Sequence, residues 1–306
     1  MKAYLFLLIT AVIFSGNIIV GKAINELPPY TIAFFRVLIA LIVVLPIGWG
    51  QVKRYQTTLK KEWKAILALG LTGVAFFNSF IYASLQFTSS TNVAIMEASI
   101  PVFTILFSLL FLGEKLRGMQ WLGVILSMGG AIWVITEGSW ELISNLAFNQ
   151  GDVIMLAAVA TWVAYSILVK FHMMKFPIYG SLVIMLVIAN IVLLPIAAVE
   201  WGIYGFPDIF QSNHVFGLLY LGVFPSLIAL VLWNKGVEAV GPSQASVFLN
   251  LLPVFVIAGS LLFLGEEISV VQMLGAIVVI SGVLLTTKSK REASSVSPMK
   301  KRQSSS

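Results

Sequence analysis

Two ionisable side chains lie inside long apolar runs, Arg36 in PYTIAFFRVLIALIVVLP and Glu97 in NVAIMEASIPVFTILF. In hydrocarbon such a group costs about 2.5–3.5 kcal/mol or more, so each is expected to face a partner or a cavity. Each lies six or seven residues past the start of its run, which at helical rise places both about 10 Å below the same surface. Three arrangements are open: a structural ion pair, a pair of opposite charges facing a solute, or separate snorkelling to the surface. Around them, Asn78, Tyr82 and Gln86 recur at spacings of four, Glu97, Pro101, Thr104 and Ser108 form a second polar stripe, and Thr10 and Asn17 stand two turns apart. Asn17, Arg36, Asn78, Tyr82 and Glu97 converge on one end of their segments. In the second half the polar set is Asn234, Lys235 and Asn250, and Trp162, Tyr165 and Trp233 add aromatic surface as cavity walls, lipid-facing packing or interface anchors. Stripes of this kind serve either as hydrogen-bonding glue between helices or as a path for a polar solute.

The elements that position these residues follow from composition. Of the 306 residues, 59% are hydrophobic and only 10% charged, far from the quarter-charged makeup of soluble domains. Crossing about 30 Å of hydrocarbon takes about 20 apolar residues as a helix. Ten such stretches are expected, near 3–24, 30–50, 64–85, 90–112, 119–137, 151–171, 178–201, 214–239, 243–264 and 269–287, numbered spans 1 to 10 below. The period-two alternation of a membrane β-barrel is missing, so the fold class is all-α integral membrane. The first stretch lacks a small-residue cleavage site and reads as a span and not as a removable leader.

Seventeen of the 19 Lys and Arg fall on one side if the N-terminus is inside. Positive loops stay cytoplasmic, so both termini are expected there. Lys22 and Lys170, at equivalent ends of spans 1 and 6, read as anchors or gate residues. The tail 288–306 is basic and Ser-rich and is expected to be disordered and drawn to anionic lipid. There is no cysteine and no histidine within an apolar run, which removes the usual ligands for metal and redox chemistry. No HExxH, GxSxG or phosphate-binding glycine loop is present either, so neither an enzyme nor a cofactor is expected. The basic residues lack aromatic interleaving, which excludes nucleic acid as the expected partner and favours membrane lipid.

The tetrapeptide FLGE occurs at 111–114 and again at 263–266. At this offset of 152, 16 of 30 positions are identical between 101–130 and 253–282, including the paired Pro101 and Pro253, Gln120 and Gln272, and Gly130 and Gly282. Earlier spans align at 149 (Tyr30 with Tyr179, Pro46 with Pro195) and 148 (Lys22 with Lys170). The chain is thus a duplication: repeat 1 over 1–137, an external linker over 138–150, and repeat 2 over 151–287. Five spans is an odd number, so the second copy should enter the membrane inverted, a plan that recurs in secondary transporters. Glu114 and Glu266 then lie on opposite faces, and each is expected to cap the turn into the following span. Pro101 and Pro253 are hinge candidates at pseudo-symmetric places. Gly129–Gly130 and Ser281–Gly282 offer close helix packing, with a homodimer seam as one use.

On these residues the chain resembles the drug/metabolite transporter superfamily, in its EamA-type branch of ten-span bacterial proteins with two EamA repeats. The resemblance is carried by Arg36-Val37-Leu38-Ile39-Ala40, by the PVF…SLLFLGE run of spans 4 and 9, and by the Gln-x-Leu-Gly that follows in spans 5 and 10, and it covers residues 1–287. It implies export of amino acids or related small metabolites, or of some drugs, across the cytoplasmic membrane without ATP. It brings no universal site residues, so the substrate path is drawn from Asn17, Arg36, Asn78, Tyr82, Glu97, Trp162, Tyr165 and Asn250. A carrier of apolar cationic compounds is the alternative within transport, and a passive channel lies outside it.

Overall fold

The computed structural model describes residues 2–84, 86–88, 90–144, 149–264 and 269–300, and its regular structure there is entirely helical. Ten helical spans are long and apolar enough to cross a membrane. They are Lys2–Gly21, Pro29–Arg54, Trp63–Ser84, Val93–Leu112, Gly118–Ile135, Gln150–Lys175, Ile178–Tyr204, Ser212–Val240, Pro242–Gly259 and Val270–Thr287. Each agrees with its expected stretch to within a few residues, because length and hydropathy alone set where the chain can cross. Large side chains such as Leu110, Ile191 and Phe216 stay on the outside of the bundle, the face a lipid would cover.

Two pairs of equivalent helices, spans 2 and 7 and spans 5 and 10, pack antiparallel. At one end of spans 2 and 7, the Glu200 carboxylate accepts from the Tyr30 and Thr31 amides at 3.2 and 2.8 Å and from Thr31 Oγ1 at 2.8 Å. At the other end, Gln51 Oε1 accepts from the Tyr179 and Gly180 amides at 3.1 and 2.9 Å. Gln51 and Glu200 are equivalent under the 149-residue offset, so the last turn of each span caps the first turn of the other. Glu200, near the end of span 7, is a buried helix residue. The first amides of a helix have no helical acceptor, which is why a carboxylate is worth burying there. Glu200→Ala is expected to lower stability by about 2 kcal/mol and Gln51→Ala by about 1 kcal/mol, the charged acceptor being the stronger cap. Thermal unfolding in detergent would check that order.

Spans 5 and 10 meet in the same manner. A Cβ on Gly282 would lie 2.6 Å from Gly123 O, and one on Gly130 would lie 3.0 Å from Gly275 O. Gly123 and Gly275, like Gly130 and Gly282, are equivalent under the offset of 152. These glycines meet at a seam inside the chain, which is the close packing of spans 5 and 10 that the small residues offered; Gly129 meets nothing within 4 Å. Between the halves, span 3 packs on spans 6 and 7 while span 8 packs on spans 1 and 2. Such reciprocity is what two-fold related halves produce.

Four local breaks interrupt this regularity, in two pairs. Span 4 is two helices, Ser90–Ala98 and Ile100–Leu112, with Pro101 in the first turn of the second. Span 9 passes through a 3₁₀ segment, Val247–Leu251, immediately before Pro253. A proline ring collides with the carbonyl four residues earlier, here those of Glu97 and Leu249, so the helix must open just upstream. The hinge candidates therefore sit beside a break and not within a smooth kink. Spans 3 and 8 each contain a π-helical segment, Gly70–Phe76 and Phe224–Ala229, a feature that hydropathy does not reveal and that often accompanies function.

One expectation needs correction. Gly113, at φ +65°, turns the chain so that Glu114 Oε2 accepts from the Ser243 amide at 3.4 Å; it caps span 9 and not span 5. The cap of span 5 is Gln120, whose Oε1 accepts from the Arg117 amide at 2.9 Å, and the equivalent Gln272 accepts from the Ser269 amide at 3.0 Å. Glu266 lies outside the described residues. The last helix runs over Val270–Lys300.

Candidate functional site

A cavity of about 270 Å³ lies between the halves. Asn17, Arg36, Asn78, Glu97 and Trp162 line it, together with Ser226 and Pro253. It extends to Glu137, an exposed residue just beyond span 5 that is bonded at 3.4 Å by Gln272 Nε2. Glu137 is also the one non-glycine residue with positive φ among those described, at 52°.

Arg36 is only 3% exposed. Its Nε donates to Ser226 Oγ at 2.9 Å, and its Nη1 donates to Asn78 Oδ1 at 3.0 Å and to Tyr82 Oη at 2.8 Å. Spans 2, 3 and 8 therefore converge on one guanidinium. Ser226 belongs to the π-helical segment of span 8 and donates its own hydrogen to Leu221 O, five residues back. The widened turn thus presents Ser226 Oγ to Arg36. All three acceptors are neutral, and Nη2 donates to no described group.

Glu97 stands on the wall of the same cavity, half-buried at the broken point of span 4. Among the described residues it forms no ion pair, with Arg36 or with any other cation. Of the three arrangements read from the sequence, the direct ion pair is not found among the described residues. A cation and an anion facing one chamber without contact is costly unless something else completes them. An arginine fork is suited to a carboxylate, and a carboxylate to an ammonium group.

The inner wall is aromatic. Trp162 packs at 4.4 Å from Phe77, 5.2 Å from Trp233, 5.5 Å from Tyr165 and 5.8 Å from Phe14, measured between ring centroids. Tyr165 is not a lining residue. Its ring fills the space that the missing side chain of Gly73 leaves in the π-helical segment of span 3, where a Cβ would come within 2.2 Å of it, and its Oη donates to Asn234 Oδ1 at 2.6 Å. Tyr82 stands behind Arg36 and orients it. Asn250 also lies off the cavity surface, fully buried, with its Nδ2 donating to Ser127 Oγ at 3.0 Å. Lys170 donates to the Glu238 carbonyl at 2.8 Å, at the end of span 8; the side chain of Lys22 lies outside the described ones. No cluster of His, Cys, Asp and Glu suited to a metal occurs among the described residues.

Sequence reasoning missed Ser226, Phe14, Phe77, Glu137 and Gln272. Ser226 had a usable signal, since the 152-residue offset sets Pro225-Ser226 against Gly73-Val74 on the opposite wall. The others are an ordinary phenylalanine pair and loop-end polar residues, and only three-dimensional proximity distinguishes them.

Ten apolar helices in two like halves, closing on a small part-polar chamber, define a multi-pass membrane protein built around a solute-sized cavity. The family model described as the EamA-like transporter family matches residues 1–136 and again 149–288. The chain belongs to the EamA-like transporter family, and it is a membrane transporter. It is similar to an "Uncharacterized transporter" of Archaeoglobus fulgidus, with 28% identity covering 95% of this chain and 99% of the relative. It is also similar to "Uncharacterized transporter YyaM" of Bacillus subtilis, at 27% identity over 88% of this chain and 90% of that one. "Uncharacterized inner membrane transporter YhbE" of Escherichia coli is 26% identical over 92% and 89%. A solved crystal structure superposes with a TM-score of 0.75 at 16% identity, covering 94% of this chain and 98% of that one, which speaks for the fold alone.

Proposed function

We propose that this transporter is a secondary carrier that exports an amphipathic small metabolite, an amino acid foremost, by alternating access of two inverted repeats. The observation that carries the reading is the separated pair: Arg36 and Glu97 line one cavity and do not neutralise each other. A zwitterion would supply a carboxylate to Arg36 Nη2 and an ammonium group to Glu97, with its side chain against Phe14, Phe77 and Trp162. The volume favours a small solute, since pockets for drug-sized ligands run from about 300 to 1,000 Å³. Glu97 and the aromatic wall would also suit a hydrophobic cation, but the nearby guanidinium opposes one. The distribution of Lys and Arg supports an orientation in the bacterial cytoplasmic membrane with both termini inside and the Glu137 end outside.

Counterflow into proteoliposomes loaded with an unlabelled amino acid tests this. Accumulation of the labelled amino acid is the expected result, and no counterflow with any of the twenty overturns the reading. Glu97→Gln should reduce amino-acid exchange about tenfold, the worth of one charge-assisted bond. A carboxylic acid lacking the amine should show no such loss.

A further inference from the structure

Under the repeat offsets, Asn17 of span 1 corresponds to Tyr165 of span 6, and Tyr82 of span 3 corresponds to Asn234 of span 8. Each half therefore holds one tyrosine and one asparagine on its first and third spans, with the residue types exchanged. In the second half the pair is closed. Tyr165 Oη donates to Asn234 Oδ1 at 2.6 Å, both side chains are buried, and spans 6 and 8 pack together. In the first half it is open. Among the described residues, Asn17 Oδ1 is buried with no partner, Tyr82 Oη accepts from Arg36 Nη1, and spans 1 and 3 line one cavity without comparable packing.

The same asymmetry recurs around span 9. Span 9 packs against span 5, where Asn250 bonds Ser127, and the equivalent spans 4 and 10 show no comparable contact among the described residues. Two copies of one fold thus differ in the sense expected of a bundle open at the Glu137 end and shut at the other.

We propose that Tyr165–Asn234 and Tyr82–Asn17 are alternating latches. The first holds the far end shut in the conformation seen here, and the second forms when the cavity closes at the Glu137 end. The inference rests on the alternating-access reading above. The chemistry matches atom for atom: a tyrosine hydroxyl donates to an asparagine Oδ1 in each half, and the acceptor left orphaned here is the one the second latch needs. An unpaired buried acceptor is a standing cost, so closing the outer end relieves it as the inner bond is given up. Arg36 links the latch to the ligand: Tyr82 Oη accepts from Nη1 and keeps its own hydrogen to donate to Asn17, while Nη2 is left for the anion.

The cysteine-free chain permits a direct test. A single Ala94→Cys on the cavity wall reports access through its labelling rate with a membrane-impermeant methanethiosulfonate, in sealed vesicles of both orientations. Crosslinking Asn17→Cys to Tyr82→Cys is expected to slow labelling of that reporter at least tenfold, whereas crosslinking Tyr165→Cys to Asn234→Cys leaves it fast. Tyr165→Phe, which keeps the ring packing and removes only the hydroxyl, should slow labelling about fivefold by releasing the inner latch, the effect of one net hydrogen bond. Failure of Asn17→Cys and Tyr82→Cys to crosslink, with the reporter still protected when solute is turned over, sinks the latch and leaves alternating access standing. So does an unchanged rate in Tyr165→Phe. A reporter that is never protected under any condition overturns both.

Discussion

Arg36→Ala is expected to lower transport about a hundredfold while the protein stays folded. The side chain makes three hydrogen bonds inside the bundle, to Ser226, Asn78 and Tyr82, and bonds from a charged donor are worth about 1.5–3 kcal/mol each. By that count alone, removing it threatens stability more than function. Two features reverse that order. The acceptors left behind are neutral, and Asn78 and Ser226 line the cavity, where water replaces the guanidinium. Ser226 also keeps its bond to Leu221 O. The loss of stability is therefore held to about 1 kcal/mol, whereas the free Nη2 has no substitute as a fork for a carboxylate. Arg36→Lys keeps the charge but not the fork and should lose about tenfold. Uptake into proteoliposomes and an unfolding curve on the same preparations separate the roles: normal transport in Arg36→Ala sinks the proposed site, and an unfolded variant makes Arg36 a structural residue.

Gly282→Leu should have the largest effect on stability. Its Cβ alone would meet the backbone of span 5, at 2.5 Å from Ser127 N and 2.6 Å from Gly123 O. Backbone cannot rotate aside as a side chain can, so spans 5 and 10 must separate along their whole contact. Overpacking a core costs about 1–3 kcal/mol when side chains can adjust, and in lipid, close approach of helices is itself the main source of association. A loss above about 3 kcal/mol is expected, seen as a collapse of the monodisperse peak in size-exclusion chromatography. Gly129→Leu is the control, since a Cβ there meets nothing within 4 Å, and it should change little. Equal tolerance of both substitutions would mean that the seam is not as drawn.

Most of the bundle was legible before any coordinates. Hydrophobic length marks a membrane crossing without reference to partners, and the ten spans stand where that length placed them. The offset of 152 residues likewise carried real structural content: Gln120 and Gln272 cap equivalent helix starts, and Pro101 and Pro253 follow equivalent breaks. Glu114 shows where this kind of reading stops. Its proximity in sequence to span 5 suggested a local cap, but the left-handed turn at Gly113 sends the carboxylate to span 9. Glu200 shows the same limit, lying at the end of span 7 in sequence and against the start of span 2 in space.

Sequence alone determined that Arg36 and Glu97 require company, because the cost of an ionised group in hydrocarbon is a property of the residue and its depth. It also determined that the chain is a duplicated helical membrane protein, because both the period of hydropathy and the repeat are one-dimensional signals. Only the tertiary structure decided that Arg36 is met by Asn78, Tyr82 and Ser226 while Glu97 stands apart on the same wall. Which faces of which helices meet depends on close approach at Gly73, Gly123 and Gly282 and on two π-helical turns that rotate the register of spans 3 and 8. Those are shape effects summed over neighbours remote in the chain, and no local pattern of residue types encodes them.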